Sequence, residues 1–95
     1  MTKPKTKAAK LRLRLYVAGT APNSVRAIAN TRAICEQHFA ERHEIEVIDL
    51  LKHPERAMAD EILVTPTLMK LSPPPQRVIG NLSDTAQLLI ALIEK

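Results

Sequence analysis

The stretch from Asp60 to Leu82, DEILVTPTLMKLSPPPQRVIGNL, carries most of the backbone constraints that the rest of the chain must satisfy. Thr65 precedes a proline and is biased towards extended geometry. Pro66 has no N–H and opens an apolar run, Leu68, Met69 and Leu71, so a strand is expected to begin there. A strand that begins at such a proline is a common place for a cis bond. Pro73-Pro74-Pro75 then stops the strand, and Gln76 to Ile79 resumes a short one before Gly80-Asn81 breaks it. Two short strands about a proline turn predict a hairpin, with a helix starting at Ser83.

With 95 residues there is room for one domain. Tyr16 and Phe39 are its only aromatics, so the core must be aliphatic and dense stacking on nucleic-acid bases is excluded. The net charge of +4 sits entirely in Lys3, Lys5, Lys7 and Lys10, because the chain from Leu11 onward has ten basic and ten acidic residues. Residues 1–10 are therefore expected to be a basic disordered tail and residues 11–95 a single domain, without a nucleic-acid partner. No run approaches the ~18 apolar residues of a membrane helix and no secretory apolar region follows the lysines, so a cytoplasmic protein with no membrane partner is expected. Cys35 alone permits no internal disulfide and fits a reducing compartment.

Leu11 to Val17, LRLRLYV, alternates: Leu11, Leu13, Leu15 and Val17 share one face, and Arg12, Arg14 and Tyr16 the other. That pattern predicts a strand with one face in the core and Tyr16 on the outside. After the loop Ala18 to Asn23, the residues Val25, Ile28, Ile34, Cys35 and Phe39 mark the apolar face of a helix running to about Ala40. Glu44 to Leu51 has few polar interruptions and reads as a second, more buried strand, completing a right-handed parallel β-α-β unit. Pro54 suits the first turn of a short helix carrying Ala57, Met58 and Ile62, with Glu55, Arg56, Asp60 and Glu61 facing solvent. The last helix, Ser83 to Lys95, has a broad apolar face of Leu88, Leu89, Leu92 and Ile93. The resulting order, β-α-β-α-β-β-α, is an α/β fold of thioredoxin-like type.

Redox catalysis in such a fold needs a low-pKa cysteine pair at the start of the first helix, and Gly19-Thr20-Ala21-Pro22-Asn23 stands there instead. Cys35 reads as core packing. His38, His43 and His53 have no ligand spacing with one another or with acids, so no metal is expected. Gly19 and Gly80 are the only glycines, too few for a phosphate-cradling loop, so no cofactor is expected and any nucleotide would be bound by a partner.

LYVAGTAPNSVRAIAN (Leu15 to Asn30), EVIDLLKHPERA (Glu46 to Ala57), ILVTPTLMKLSPPPQRVIGNLS (Ile62 to Ser83) and the closing LLIALIEK resemble the KaiB family of bacterial circadian clock proteins. The KaiB-like sensor domain of the histidine kinase SasA is similar in design. What the resemblance implies is a non-enzymatic timing regulator that binds the hexameric ATPase and autokinase KaiC and modulates its phosphorylation and ATPase cycle. It also implies two folds: an oligomeric ground form, dimer or tetramer, of order β-α-β-β-α-α-β, and a rarer thioredoxin-like monomer that binds KaiC. The second half of the chain changes between them, which makes Pro66, Pro73, Pro74, Pro75 and Gly80 the expected fold-switch positions.

The family's KaiC contact, through the second helix and neighbouring strand, matches Lys52 to Lys70 here. Expected partner-binding residues are Arg26, Lys52, Glu61, Lys70 and Arg77. Many relatives carry Lys where this chain has Glu61. Clock relatives commonly place two basic residues after the prolines near KaiA, and Gln76-Arg77 offers one, which counts against KaiA as a partner. A SasA-like histidine kinase pathway is an indirect connection. Two alternatives remain: an adaptor of the same ATPase in stress response without rhythm, and an orphan thioredoxin-fold redox or chaperone protein.

Overall fold

The computed structural model describes residues 11–40, 42–80 and 82–93. The expected tail, residues 1–10, and the helix end at Lys95 lie outside the described residues. Seven elements follow one another: β1 (Leu11–Val17), α1 (Pro22–His38), β2 (His43–Asp49), α2 (Glu55–Ala59), β3 (Thr67–Lys70), β4 (Gln76–Ile79) and α3 (Thr85–Ile93). This is the expected thioredoxin-like order, and the alternative β-α-β-β-α-α-β order is not the one adopted. The strands form one sheet in the order β2-β1-β3-β4. β1 runs parallel to β2 and antiparallel to β3, which in turn pairs antiparallel with β4.

β1 is central, and its alternation builds the main core. Leu11, Leu13, Leu15 and Val17 pack with Ala27, Ile34 and Cys35 of α1, Leu68 of β3, and Leu82, Leu88 and Leu92 around α3. The opposite face is not left to solvent. Tyr16 is fully buried in a second cluster with Ile48 and Ile62, backed by Leu50 and Met69. The expectation of an exposed Tyr16 is corrected: the segment after α2 folds across that side of the sheet. β2 also departs from its expected place, since it is an edge strand with Ile48 as its one fully buried residue. Its polar interruptions are few because Ile45 and Val47 serve the main core while Ile48 serves the second cluster.

α1 starts with Pro22 in its first turn, where a missing N–H costs nothing, and no side chain caps Ala21. The Ser24 hydroxyl instead accepts the N–H of Ala18 at 3.0 Å, closing the loop against the helix. Ser24, Ala27, Thr31, Ile34 and Cys35 form the buried stripe. Val25, expected on that stripe, is 51% exposed, because the small residues Ser24 and Ala27 take the position closest to the sheet. α3 starts later than expected: Asp84 accepts the N–H of Gln87 at 3.1 Å and caps the helix, leaving Ser83 outside it. Leu88 and Leu92 point inward as expected, whereas Ile93 lies exposed beside Ile90. Among the described residues, no helix is long and apolar enough to cross a membrane.

The proline segment folds as the hairpin β3–β4, with Pro66 at its open end and Pro73, Pro74 and Pro75 in its turn. The Thr65–Pro66 and Pro73–Pro74 bonds are cis. Gly80 donates its N–H to the Pro66 carbonyl at 3.0 Å, so these two expected switch positions are bonded to each other. Gly80 has φ +115, a region costly for residues with a Cβ, yet a Cβ there would meet nothing within 4 Å. Gly80→Ala should therefore cost about 1 kcal/mol through the backbone alone. Urea denaturation should show a lower midpoint with an unchanged slope; an unchanged midpoint would mean that Gly80 is not held at positive φ.

Candidate functional site

The pairing register brings the last residues of β1, β2 and β4 and the first of β3 to the same end of the sheet. Loops from these strands meet there. Asp49, last in β2, ties two of them together by accepting the N–H groups of Gly19 and Leu51, each at 2.9 Å. Those two bonds, Gly19's first, hold the Asp49 carboxyl below its ordinary range. Gly19 has φ +57, a backbone conformation that favours glycine, and a Cβ on it would come within 2.8 Å of Cδ1 of the exposed Leu51 side chain.

Beyond Leu51 the chain displays apolar side chains outward. Leu51 is 71% exposed, Met58 86%, Leu63 94% and Val64 47%. Met58 was expected to help pack the short helix, but α2 buries none of its own residues. Single exposed apolar residues are ordinary; four large ones within one short segment mark a surface suited to a protein partner.

What holds this segment is largely polar. The Tyr16 hydroxyl donates to Asp60 Oδ2 at 2.5 Å, and Arg56 donates to the same oxygen from Nε at 3.2 Å and Nη2 at 3.1 Å. Arg14 Nη1 lies 3.4 Å from the Tyr16 oxygen and 3.9 Å from Asp60, while its Nε donates to Glu46 at 3.0 Å. The Tyr16 bond, then Arg56, hold the Asp60 carboxyl below the usual carboxylate range. Burial, followed by Asp60, pushes the Tyr16 phenol up. Asp60, expected to face solvent, is thus the acceptor at the centre of this network. The adjoining Ile62 provides the buried apolar anchor.

The expected partner-binding residues are only partly gathered. Lys52 is exposed beside Leu51, and Arg26 is exposed in the N-terminal part of α1. Glu61 and Arg77 meet through the backbone: Arg77 Nη1 donates to the Glu61 carbonyl at 2.8 Å, with Glu61 at φ +59. Lys70 is only 4% exposed, at the opposite end of β3. Its partner in the register is Leu13, so it lies on the core-facing side of the sheet and is not a surface contact in this conformation. The residues of this candidate site that sequence reasoning missed are Tyr16, Asp60 and the outward Leu51, Met58, Leu63 and Val64. One signal was available: a lone tyrosine between arginines on an alternating strand needs a partner for its hydroxyl once buried.

Cys35 lies inside the core, where burial, then Glu36, push its thiol up to about 11. A protonated, enclosed thiol is a poor nucleophile at neutral pH. Among the described residues, no group of three or more His, Cys, Asp and Glu side chains could hold a metal ion.

A KaiB domain model matches residues 14–93. The circadian clock oscillator protein KaiB of Prochlorococcus marinus is 53% identical over 84% of this chain and 68% of its own length. The KaiB of a Nostoc species has the same identity over 84% of this chain and 75% of its own length. Among solved structures, the N-terminal domain of Synechococcus elongatus SasA superposes with a TM-score of 0.73 at 27% identity, covering 100% of this chain and 94% of that one. Mitochondrial thioredoxin 3 of Saccharomyces cerevisiae shares the fold, with a TM-score of 0.70 at 12% identity, over 90% of this chain and 79% of that one.

Two measurements follow from the site chemistry. Asp49 and Asp60 titrate in the folded chain below their ordinary 3.8, so their stabilisation is complete above that pH and is lost as pH falls through the folded values. Urea midpoints followed from neutral pH to about 2 should drop in that acid range, and Asp60→Asn should shrink the drop; an equal drop in the variant contradicts the Asp60 assignment. Cys35 in the folded protein should resist iodoacetamide near pH 8 and react after unfolding, at a rate roughly that of a free thiol.

Proposed function

Because the chain belongs to the KaiB family, we propose that it is a clock or timing regulator that binds a hexameric KaiC-like ATPase and modulates its phosphorylation and ATPase cycle. The observation that carries this reading is the outward display of Leu51, Met58, Leu63 and Val64. Met58, Leu63 and Val64 fall within the segment, Lys52 to Lys70, that the family resemblance assigns to the KaiC contact, and Leu51 directly precedes it. The thioredoxin-like form described above is also the form that the resemblance implies is competent to bind.

The mechanism asks nothing of this chain as a catalyst. An apolar patch that is already exposed gives up no packing when a partner covers it, and association gains from removing that area from water. Lys52 and the Glu61 carboxylate, both exposed at the rim, contribute to orientation and choice of partner more than to affinity. A regulator that covers one face of an ATPase changes its cycle only through a difference in affinity for the ATPase's states. Phosphorylation and hydrolysis then belong to the partner. The thioredoxin-type redox alternative is disfavoured by the enclosed Cys35 and by Gly19 to Asn23 where a cysteine pair would stand. Self-association of the oligomeric form would draw on other apolar surface, including Ile90 and Ile93 of α3.

The test is interferometry against a KaiC-type hexamer with ATP, together with the hexamer's rate of ATP hydrolysis. The wild-type chain should bind and change that rate, and Met58→Ser or Leu63→Ser should each weaken binding by roughly tenfold without altering the unfolding midpoint. No binding by the wild type, or full binding by both variants, contradicts the reading.

A further inference from the structure

We infer that the Tyr16–Asp60 hydrogen bond is a latch that sets the position of the partner-facing segment, making Tyr16 and Asp60 positioning residues for binding. Three observations converge on it. α2 buries none of its residues, so the apolar packing that normally fixes a helix is missing and Ile62 is the nearby buried anchor. Tyr16 lies on the central strand, fully buried and rigidly placed, and its hydroxyl reaches Asp60 at 2.5 Å across a separation of 44 residues. Arg56 and Arg14 converge on the same carboxylate and hydroxyl, so the bond is charge-assisted and belongs among the stronger hydrogen bonds.

The consequence is a division of labour within one segment. Met58, two residues before Asp60, and Leu63, three after it, point outward, while Asp60 and Ile62 hold the intervening backbone to the sheet. Two further bonds, from Arg77 to the Glu61 carbonyl at 2.8 Å and from the Thr67 hydroxyl to the Val64 carbonyl at 2.7 Å, hold only backbone oxygens of this segment, so its local opening is limited chiefly by Ile62 and the latch. Each opening disperses the apolar side chains that a partner must meet together. Apparent affinity then scales with the closed fraction, and the loss appears in association because the bound complex contains only the closed form.

This inference rests on the proposed partner binding for its functional half, and native-state hydrogen exchange tests the latch independently. The reporting amides are those of Asp60, bonded to the Arg56 carbonyl, and Ile62, bonded to that of Ala57. Tyr16→Phe keeps the buried ring and removes only the hydroxyl. Asp60→Asn keeps the shape and removes the charge. Each should speed exchange at these amides by roughly tenfold, and the double variant should be no looser than the looser single one. Ile34→Val, which weakens the main core under α1, is the control and should leave these two amides unchanged. Unchanged exchange in Tyr16→Phe and Asp60→Asn, or an equal rise in Ile34→Val, overturns the latch.

With a KaiC-type hexamer, Tyr16→Phe should bind more weakly through slower association at unaltered dissociation. Wild-type affinity in a variant whose closed fraction, read from the same amides, has dropped, or a closed fraction that stays near one, overturns the positioning role. If the wild-type chain does not bind the hexamer, the proposed function fails, while the exchange comparison still decides whether the latch exists.

Discussion

A single strand, β1, is the element on which the molecule depends. It lies between β2 and β3, and both of its faces are committed. Leu11, Leu13, Leu15 and Val17 supply the main core, and Tyr16 alone on the other face supplies the centre of the second cluster. Helices α1 and α3 can cover the first face with aliphatic side chains by ordinary packing. The second face is shared by Arg12, Arg14 and Tyr16, which an apolar cover could not satisfy. Its cover is therefore a short irregular segment carrying one aspartate, one arginine and one isoleucine in the right places. Held through Asp60, Arg56 and Ile62, with Arg77 and Thr67 on its carbonyls, the segment leaves Met58, Leu63 and Val64 facing outward.

The same comparison explains why a thioredoxin-like fold here does not imply thioredoxin chemistry. The end of the sheet where loops from all four strands meet is present, with Pro66 and Gly19 in it. Chemistry is not carried by the backbone, however, and the first turn of α1 has no thiol to activate. Cys35 lies more than three turns further along the helix, facing the core, and its surroundings favour the protonated form. What that end of the sheet offers is shape and apolar area, with Asp49 fixing two loops through their N–H groups.

Most of the fold was legible in the sequence, and the misses share one cause. Alternation in Leu11–Val17 and the proline punctuation of the hairpin are local signals: β1 and β4 came out with the expected residues, and β3 with Leu68 and Met69 but without Leu71. Tyr16, Asp60 and Met58 were misplaced because their surroundings are set by a contact across 44 residues, which periodicity within a window does not register. Lys70 was misplaced for a related reason: it continues an apolar strand, and its pairing with Leu13 decides its face. β2 was expected to be more buried because its polar interruptions are few, whereas its apolar residues serve two clusters from an edge. Of the expected partner residues, Lys52 and Glu61 lie on the displayed segment. Arg77 is tied to that segment by its bond to the Glu61 carbonyl, whereas Arg26 belongs to α1.

In the proposed function the chain, in its thioredoxin-like form, meets a KaiC-type hexamer through the segment from Leu51 to Val64. The most direct measurement is amide hydrogen exchange of the chain in complex with that hexamer against the chain alone. The account predicts that new protection concentrates between Leu51 and Val64, with the β1–β3 ladder retaining the register of Leu15 with Leu68. Protection confined to the β2 edge or to α3, with Leu51 to Val64 exchanging as in the free chain, would contradict it.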